Sequence, residues 1–137
     1  MLKLSKSIEY SLLALIFISN NENKSVVSSR KISEELNIPY ELLSKLLQKL
    51  VQKGIVKSRQ GKFGGYNLVI PKNELSIYNV INAIEENVKI VNCTHALATQ
   101  DDCSKIDNCE IRDPFYDIQN KIISIFESIT LEQLSKQ

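Results

Sequence analysis

The feature that most constrains this fold is a pair of helical patterns separated by a short break. A short helix is predicted over 30–36, and the stretch 37–39, which closes with a proline, ends it. A second helix is predicted over 40–53, because its leucines recur at three- and four-residue intervals and Gly54 follows. Two helices joined by such a turn are a candidate helix-turn-helix.

Two short β-prone runs follow at 55–59 and 66–70. The residues between them, 60–65, contain three of the four glycines of the chain. Positive φ angles and close backbone approach cost glycine least. The pattern therefore predicts a hairpin directly after the second helix, in the position of a wing.

Apolar residues at helical spacing predict three more helices, over 5–19, over 76–85 and from 111 onward, the last of about five turns. The stretch 92–110 has weak periodicity and many polar residues, which indicates a loop. The predicted fold class is mainly α with a small β-hairpin. It combines a winged helix-turn-helix with a long C-terminal helix.

The charge of the chain is divided unevenly. Residues 1–72 carry 12 Lys and Arg against 5 Asp and Glu, and residues 73–137 carry 5 against 11. The halves are thus +7 and −6, within a net charge of +1. A basic half favours a polyphosphate partner such as DNA, although chance segregation of solvated charge gives the same totals.

Candidate DNA contacts lie on the open face of the second helix and around the hairpin. Side chains of a helix in a major groove reach phosphates and base edges, and a cation at a hairpin tip follows phosphates or enters a minor groove. Taken singly, each feature is also typical of a solvated surface or an ordinary turn. The candidates are Arg30, Ser44, Lys45, Gln48, Lys49, Arg59, Gln60 and Lys62.

Three cysteines, Cys93, Cys103 and Cys109, lie in one stretch and are the only cysteines of the chain. An odd number disfavours a disulfide framework and favours a metal, a cluster or redox chemistry. The wide spacing lacks the tight pairs of zinc sites and suits an iron-sulfur cluster. A fourth ligand then comes from elsewhere, either His95 in the loop or Glu9 of another subunit. Incidental or redox-active thiols without metal remain the alternative.

Other classes of protein are disfavoured. The longest apolar run, 12–18, is far shorter than the roughly 20 residues that cross a bilayer, and no signal-peptide pattern is present. We therefore expect a cytoplasmic protein without a membrane partner. No nucleotide-binding glycine motif or Ser/His/Asp grouping indicates an enzyme, so a cluster-bearing redox enzyme is the weakest interpretation.

The ordered motifs resemble those of the Rrf-type winged-helix transcriptional regulators, the family of IscR-like and NsrR-like iron-sulfur cluster regulators. The resemblance extends over nearly the whole chain, and each motif is weak by itself. It is carried by 4–12, 32–34, 38–39, 46–50, 54–56, Gly61, 64–66, 80–85 and the three cysteines.

The resemblance implies a homodimer on a palindromic operator in double-stranded DNA, paired through the helix that follows the cysteines. It implies a 2Fe-2S or 4Fe-4S cluster on Cys93, Cys103 and Cys109 whose state alters DNA binding. Glu9 stands where NsrR-like members place an acidic ligand and is the preferred fourth ligand. Arg112 stands where IscR-like members have a histidine, which excludes a histidine ligand of that kind.

The predicted function is a DNA-binding transcriptional regulator whose operator affinity is controlled by an iron-sulfur cluster, linked to iron-sulfur assembly or to redox or nitric oxide stress. The alternative is a cluster-free, thiol-based redox-sensing regulator. The predicted segments are a winged helix-turn-helix DNA-binding module at 1–72, a connecting helix at 73–91, a cluster-binding cysteine loop at 92–110, and a dimerisation helix with a C-terminal segment at 111–137.

Overall fold

The computed structural model describes residues 2–21, 26–86, 88–95 and 97–135, and the other positions of the predicted segments lie outside the described residues. These residues form six α-helices and one two-stranded antiparallel sheet. The elements are α1 (Lys6–Asn21), α2 (Ser29–Leu36), α3 (Tyr40–Gln52), β1 (Val56–Arg59), β2 (Gly65–Leu68), α4 (Ile77–Ile84), α5 (Arg112–Ser128) and α6 (Leu131–Ser135).

Apolar spacing and local caps explain the first two helices. The buried face of α1 has apolar residues three or four positions apart. At the start of α2, the Ser28 hydroxyl oxygen accepts the Lys31 N–H at 3.2 Å. At its end Asn37 has a φ of 53°, a left-handed conformation that asparagine adopts at small cost. The main apolar residues buried on α1 are Ile8, Leu12, Leu15 and Ile18.

The amphipathic pattern of α3 places its leucines against the core. Pro39 precedes the helix, where a missing N–H costs little because first-turn N–H groups have no partner within a helix. Glu41, Lys45 and Gln48 are exposed on the other side. Because α2 and α3 pack together, they form the predicted helix-turn-helix. The buried leucines are Leu43, Leu46, Leu47 and Leu50.

The predicted hairpin is confirmed, with Val56 opposite Leu68 and Arg59 opposite Gly65. Its strands are shorter than expected. The structure adds a pairing that the pattern did not predict, since Val27 and Tyr66 exchange backbone hydrogen bonds of 3.0 and 2.8 Å. A Cβ atom on Gly65 would stand 2.5 Å from the Val27 backbone, so this pairing requires glycine.

One cluster of buried apolar side chains joins α1, α2, α3, α4 and α6. Backbone hydrogen bonds attach the C-terminal segment to the start of α4. The Ile77 N–H donates to the Ile129 carbonyl at 2.9 Å, and the Leu131 N–H donates to the Leu75 carbonyl at 2.7 Å. The core is thus continuous across residue 72, where the predicted winged module ends.

The predicted C-terminal helix is α5, which has 17 residues. Ile129 caps it, and α6 follows as a separate short helix. The described part of 92–110 is irregular except for one 3-10 turn at Ile106–Asn108. The mainly α fold with a small hairpin is confirmed. Among the residues described, no helix has both the length and the apolar character that a membrane crossing needs.

Candidate nucleic-acid interface and cysteine loop

The first turn of α3 carries a polar cluster around Tyr40. The Ser29 and Ser44 hydroxyls hydrogen-bond to the Tyr40 phenol and lower its pKa. The Arg30 guanidinium carbon lies 5.2 Å from the centroid of the ring, within the range of a cation–π contact. Sequence reasoning selected Arg30 and Ser44 but missed Tyr40, although an aromatic residue at the start of a recognition helix was a usable signal.

The exposed face of α3 carries Lys45 and Gln48. Lys49 belongs to the same predicted set, but its ammonium lies 3.3 Å from the carbonyl oxygen of Ile84, the last residue of α4. A helix C-terminus carries partial negative charge, so a cation stabilises it. Lys49 thus joins α3 to α4, in addition to the predicted role at DNA.

The wing exposes Arg59, Gln60 and Lys62. Phe63 beside them is 84% exposed, and the Lys62 ammonium lies 5.8 Å from the centroid of its ring. The tight connection depends on Gly64, where a Cβ atom would overlap the Arg59 carbonyl oxygen. With α3, the wing offers cations, amides and hydroxyls, which are the groups that bind phosphate oxygens and base edges.

The cysteine loop holds three free thiols. Cys93 is buried at 8% exposure, and Cys103 and Cys109 are partly exposed. Three thiols suit an iron-sulfur cluster by donor chemistry. Their geometry does not fit one in this conformation, because the described residues contain no group of three or more His, Cys, Asp or Glu that could hold a metal ion. The ligands of a metal-binding loop are commonly brought together only when the metal binds.

The two candidate fourth ligands have other partners. The Glu9 carboxylate accepts a hydrogen bond from the Lys6 ammonium at 2.7 Å. His95 Nε2 lies 3.4 Å from Asp102 Oδ2. Asp102 accepts the Thr99 N–H at 2.9 Å, and that bond is the main cause of the lowered pKa of Asp102. His95 is therefore part of a local turn within the loop.

Side chains of α5 hold the start of the loop. The Arg112 Nε–H donates to the Cys93 carbonyl at 3.4 Å. About two turns further along the same face of α5, Gln119 hydrogen-bonds with Thr94, the residue after Cys93. Sequence reasoning noted Arg112 only as the residue in place of a histidine and missed Gln119, whose polarity gave no signal that it is buried.

This helix-turn-helix with its wing defines a winged-helix DNA-binding protein. Residues 4–137 match the sequence model of the Rrf2 family, described as iron-dependent transcriptional regulators. The chain belongs to the Rrf2 family, as the sequence resemblance predicted, and it is a DNA-binding transcriptional regulator and not an enzyme.

Individual relatives agree with this assignment. The HTH-type transcriptional regulator IscR of Vibrio atlanticus is 31% identical over 135 residues, which cover 98% of this chain and 76% of the relative. Among solved structures, CymR (YrzC), described as the global cysteine regulator of B. subtilis, has a TM-score of 0.78 and 23% identity, covering 99% of this chain and 98% of CymR. The T. potens IscR structure has a TM-score of 0.77 and 23% identity, covering 98% and 87%. These two structures confirm the fold.

Proposed function

We propose that the protein is a cytoplasmic homodimer that binds a palindromic operator in double-stranded DNA, with an affinity set by an iron-sulfur cluster on Cys93, Cys103 and Cys109. The single observation that carries this proposal is the arrangement of three free thiols on a loop attached to α5, in a winged-helix chain. The relative named IscR supports the same conclusion. The four segments predicted from the sequence are retained as functional segments.

The proposed DNA surface comprises the exposed side of α3 and the wing. Lys45 and Gln48 on α3, and Lys62 on the wing, are exposed and have no role in the apolar core. Lysines there bind phosphates, and polar side chains on α3 reach base edges. The full proposed set is Arg30, Ser44, Lys45, Gln48, Lys49, Arg59, Gln60 and Lys62.

The proposed dimer contact is an apolar column formed by Ile111, which caps the start of α5, and by Ile118 and Ile125 within α5. These residues are seven positions apart and are 58%, 43% and 55% exposed. Regular seven-residue spacing of apolar side chains is typical of helices that pair. A second copy of the chain covers such a column, and homodimers with twofold symmetry match palindromic operators.

The proposed cluster ligands are the three thiolates and Glu9 of the partner subunit. When bound, an iron-sulfur cluster would supply a redox-active centre. To hold such a group, the three cysteines would have to lie closer together than in this structure, and Glu9 would have to leave the Lys6 ammonium that it contacts at 2.7 Å. Ligand binding shifts operator affinity only through such a difference between two conformations.

Side chains of the chain itself link this loop to the DNA surface. Arg112 holds the Cys93 carbonyl from α5, and Lys49 of α3 holds the Ile84 carbonyl at the end of α4. Eight residues separate Ile84 from Cys93 along the sequence. We propose that a shift of the loop is transmitted through α5, which packs against α4, to the Lys49 contact on α3.

The test is the absorption spectrum and the iron and sulfide content of protein isolated without oxygen. The proposal predicts a brown protein with visible absorbance, and loss of that absorbance in Cys103→Ala with the far-ultraviolet circular dichroism retained. A colourless protein after cluster reconstitution, or full iron content in Cys103→Ala, would contradict it.

A thiol-based regulator is the second candidate function, and one observation favours it. The three thiols are free and are not gathered into a metal site among the described residues. Exposed thiolates react with peroxide, so Cys103 or Cys109 is oxidised first. Mass spectrometry after mild peroxide treatment tests this candidate, because three unmodified cysteines in the metal-free protein contradict it.

A further inference from the structure

Gln119 is the one buried residue of α5, at 5% exposure. The other side chains of this helix are partly or fully exposed. A buried amide is costly unless its donors and acceptors find partners. Among the residues that the structure describes, the hydrogen-bond partners of the Gln119 side chain lie in the chain around Cys93. This amide therefore binds the chain on both sides of Cys93.

The contacts of Gln119 span the segment 90–94. The Gln119 carbonyl oxygen Oε1 accepts the Ile90 N–H at 3.1 Å and lies 2.6 Å from the Thr94 hydroxyl. The Gln119 amide Nε2 donates to the Thr94 carbonyl at 3.1 Å. Thr94 is 2% exposed, and its hydroxyl proton is shared with the Val91 carbonyl at 2.8 Å.

Cys93 lies between these contacts and that of Arg112. Arg112 precedes Gln119 by seven residues, which places both on one face of α5. The Arg112 Nε–H donates to the Cys93 carbonyl, and Gln119 holds the next residue, Thr94. One face of a single helix thus fixes the backbone on both sides of the buried thiol.

We propose that Gln119 is a positioning residue that keeps Cys93 buried and fixes it to α5. Access to the Cys93 thiol then requires the segment 90–94 to leave Gln119. The link to regulation rests on the proposed function, because it requires that the state of Cys93 matters for DNA binding. By linkage, a ligand or modification that requires an accessible Cys93 also favours the conformation in which α5 has lost its contacts with 90–94.

The test measures how fast iodoacetamide alkylates each cysteine in the metal-free, DNA-free full chain, followed by peptide mass spectrometry. Gln119→Leu keeps a similar volume and removes every hydrogen bond that the Gln119 side chain makes with 90–94. We expect the Cys93 rate to rise about tenfold or more, because the three hydrogen bonds of Gln119 to Ile90 and Thr94 are lost together. The rates of Cys103 and Cys109 stay unchanged, because Gln119 does not hold them.

Two further variants complete the design. Asn120→Leu makes the same kind of change at the next, exposed position of α5 and leaves the Cys93 rate unchanged. Thr94→Val removes one hydroxyl and raises the Cys93 rate by a smaller factor. This variant also serves if Gln119→Leu does not fold.

An unchanged Cys93 rate in both Gln119→Leu and Thr94→Val would overturn the proposal, as would equal acceleration at all three cysteines, which indicates general destabilisation. The assay uses neither a cluster nor DNA. A protein that binds no cluster but shows selective release of Cys93 therefore contradicts the proposed function alone.

Discussion

The Lys49 ammonium lies 3.3 Å from the Ile84 carbonyl oxygen, so α3 holds the C-terminus of α4. An N–H donor at this end satisfies a carbonyl that has no partner within the helix, and its charge is favourable there. The contact lies between α3, which belongs to the proposed DNA surface, and the end of α4, from which the chain continues toward Cys93.

The first prediction concerns stability. Lys49→Ala removes this cap, and we expect the free energy of unfolding to fall by about 0.5 to 1 kcal/mol in urea denaturation. Lys45→Ala, on the same helix but without such a contact, is the control and stays within about 0.5 kcal/mol of the unsubstituted chain. Equal losses of unfolding free energy in the two variants would show that the Ile84 contact does not stabilise the fold.

The second prediction concerns DNA. Lys45→Ala weakens binding to all duplex sequences alike, because a phosphate contact carries no sequence information. The slope of log affinity against log salt concentration falls in magnitude by about one. Lys105→Ala makes the same charge change in the exposed cysteine loop and leaves the slope unaltered. A loss confined to one base position contradicts the phosphate role.

The third prediction concerns the Tyr40 cluster. Tyr40→Ala frees Arg30 from the ring, and we expect affinity for duplex DNA to fall about threefold, since an exposed cation–π contact of this kind is weak. Tyr40→Phe keeps the ring but loses the hydrogen bonds to Ser29 and Ser44, so its affinity for duplex DNA falls less. Fluorescence anisotropy with labelled duplex measures both, and equal affinity in all three proteins counts against a role for Tyr40.

The fourth prediction concerns assembly. Ile118→Glu places a charge in the exposed apolar column of α5, and sedimentation equilibrium should then give the 15.6 kDa mass of one chain. The unsubstituted protein is expected at twice that mass. Glu127→Lys, at an exposed position on the opposite side of α5 from Ile125, stays dimeric. A dimeric Ile118→Glu protein would place the contact between subunits elsewhere.

Sequence patterns predicted the elements that depend on local spacing. The leucines of α3, the glycines of the wing and the apolar repeat of α5 each fixed an element to within a few residues, because periodicity and turn preferences act over short distances.

Contacts between distant parts of the chain were not predictable in the same way. The pairing of Val27 with Tyr66, the burial of Gln119 and the contact of Lys49 with Ile84 all arise from tertiary packing. Nothing in the neighbouring sequence distinguishes Gln119 from an exposed polar residue. The predicted cysteine site was chemically reasonable, but spacing alone does not show whether three thiols meet.

The central claim is that the cysteine loop controls DNA affinity, and operator affinity in two states of one protein tests it most directly. Operator duplex is first selected from a random-sequence pool, and its affinity is then measured without oxygen for cluster-loaded and cluster-free protein at one salt concentration. We predict that the two operator affinities differ at least about fivefold, which is the lower end of typical coupling between two sites. Two samples of Cys103→Ala taken through the same two treatments should have equal operator affinities. Equal affinities of the loaded and cluster-free protein would contradict the claim.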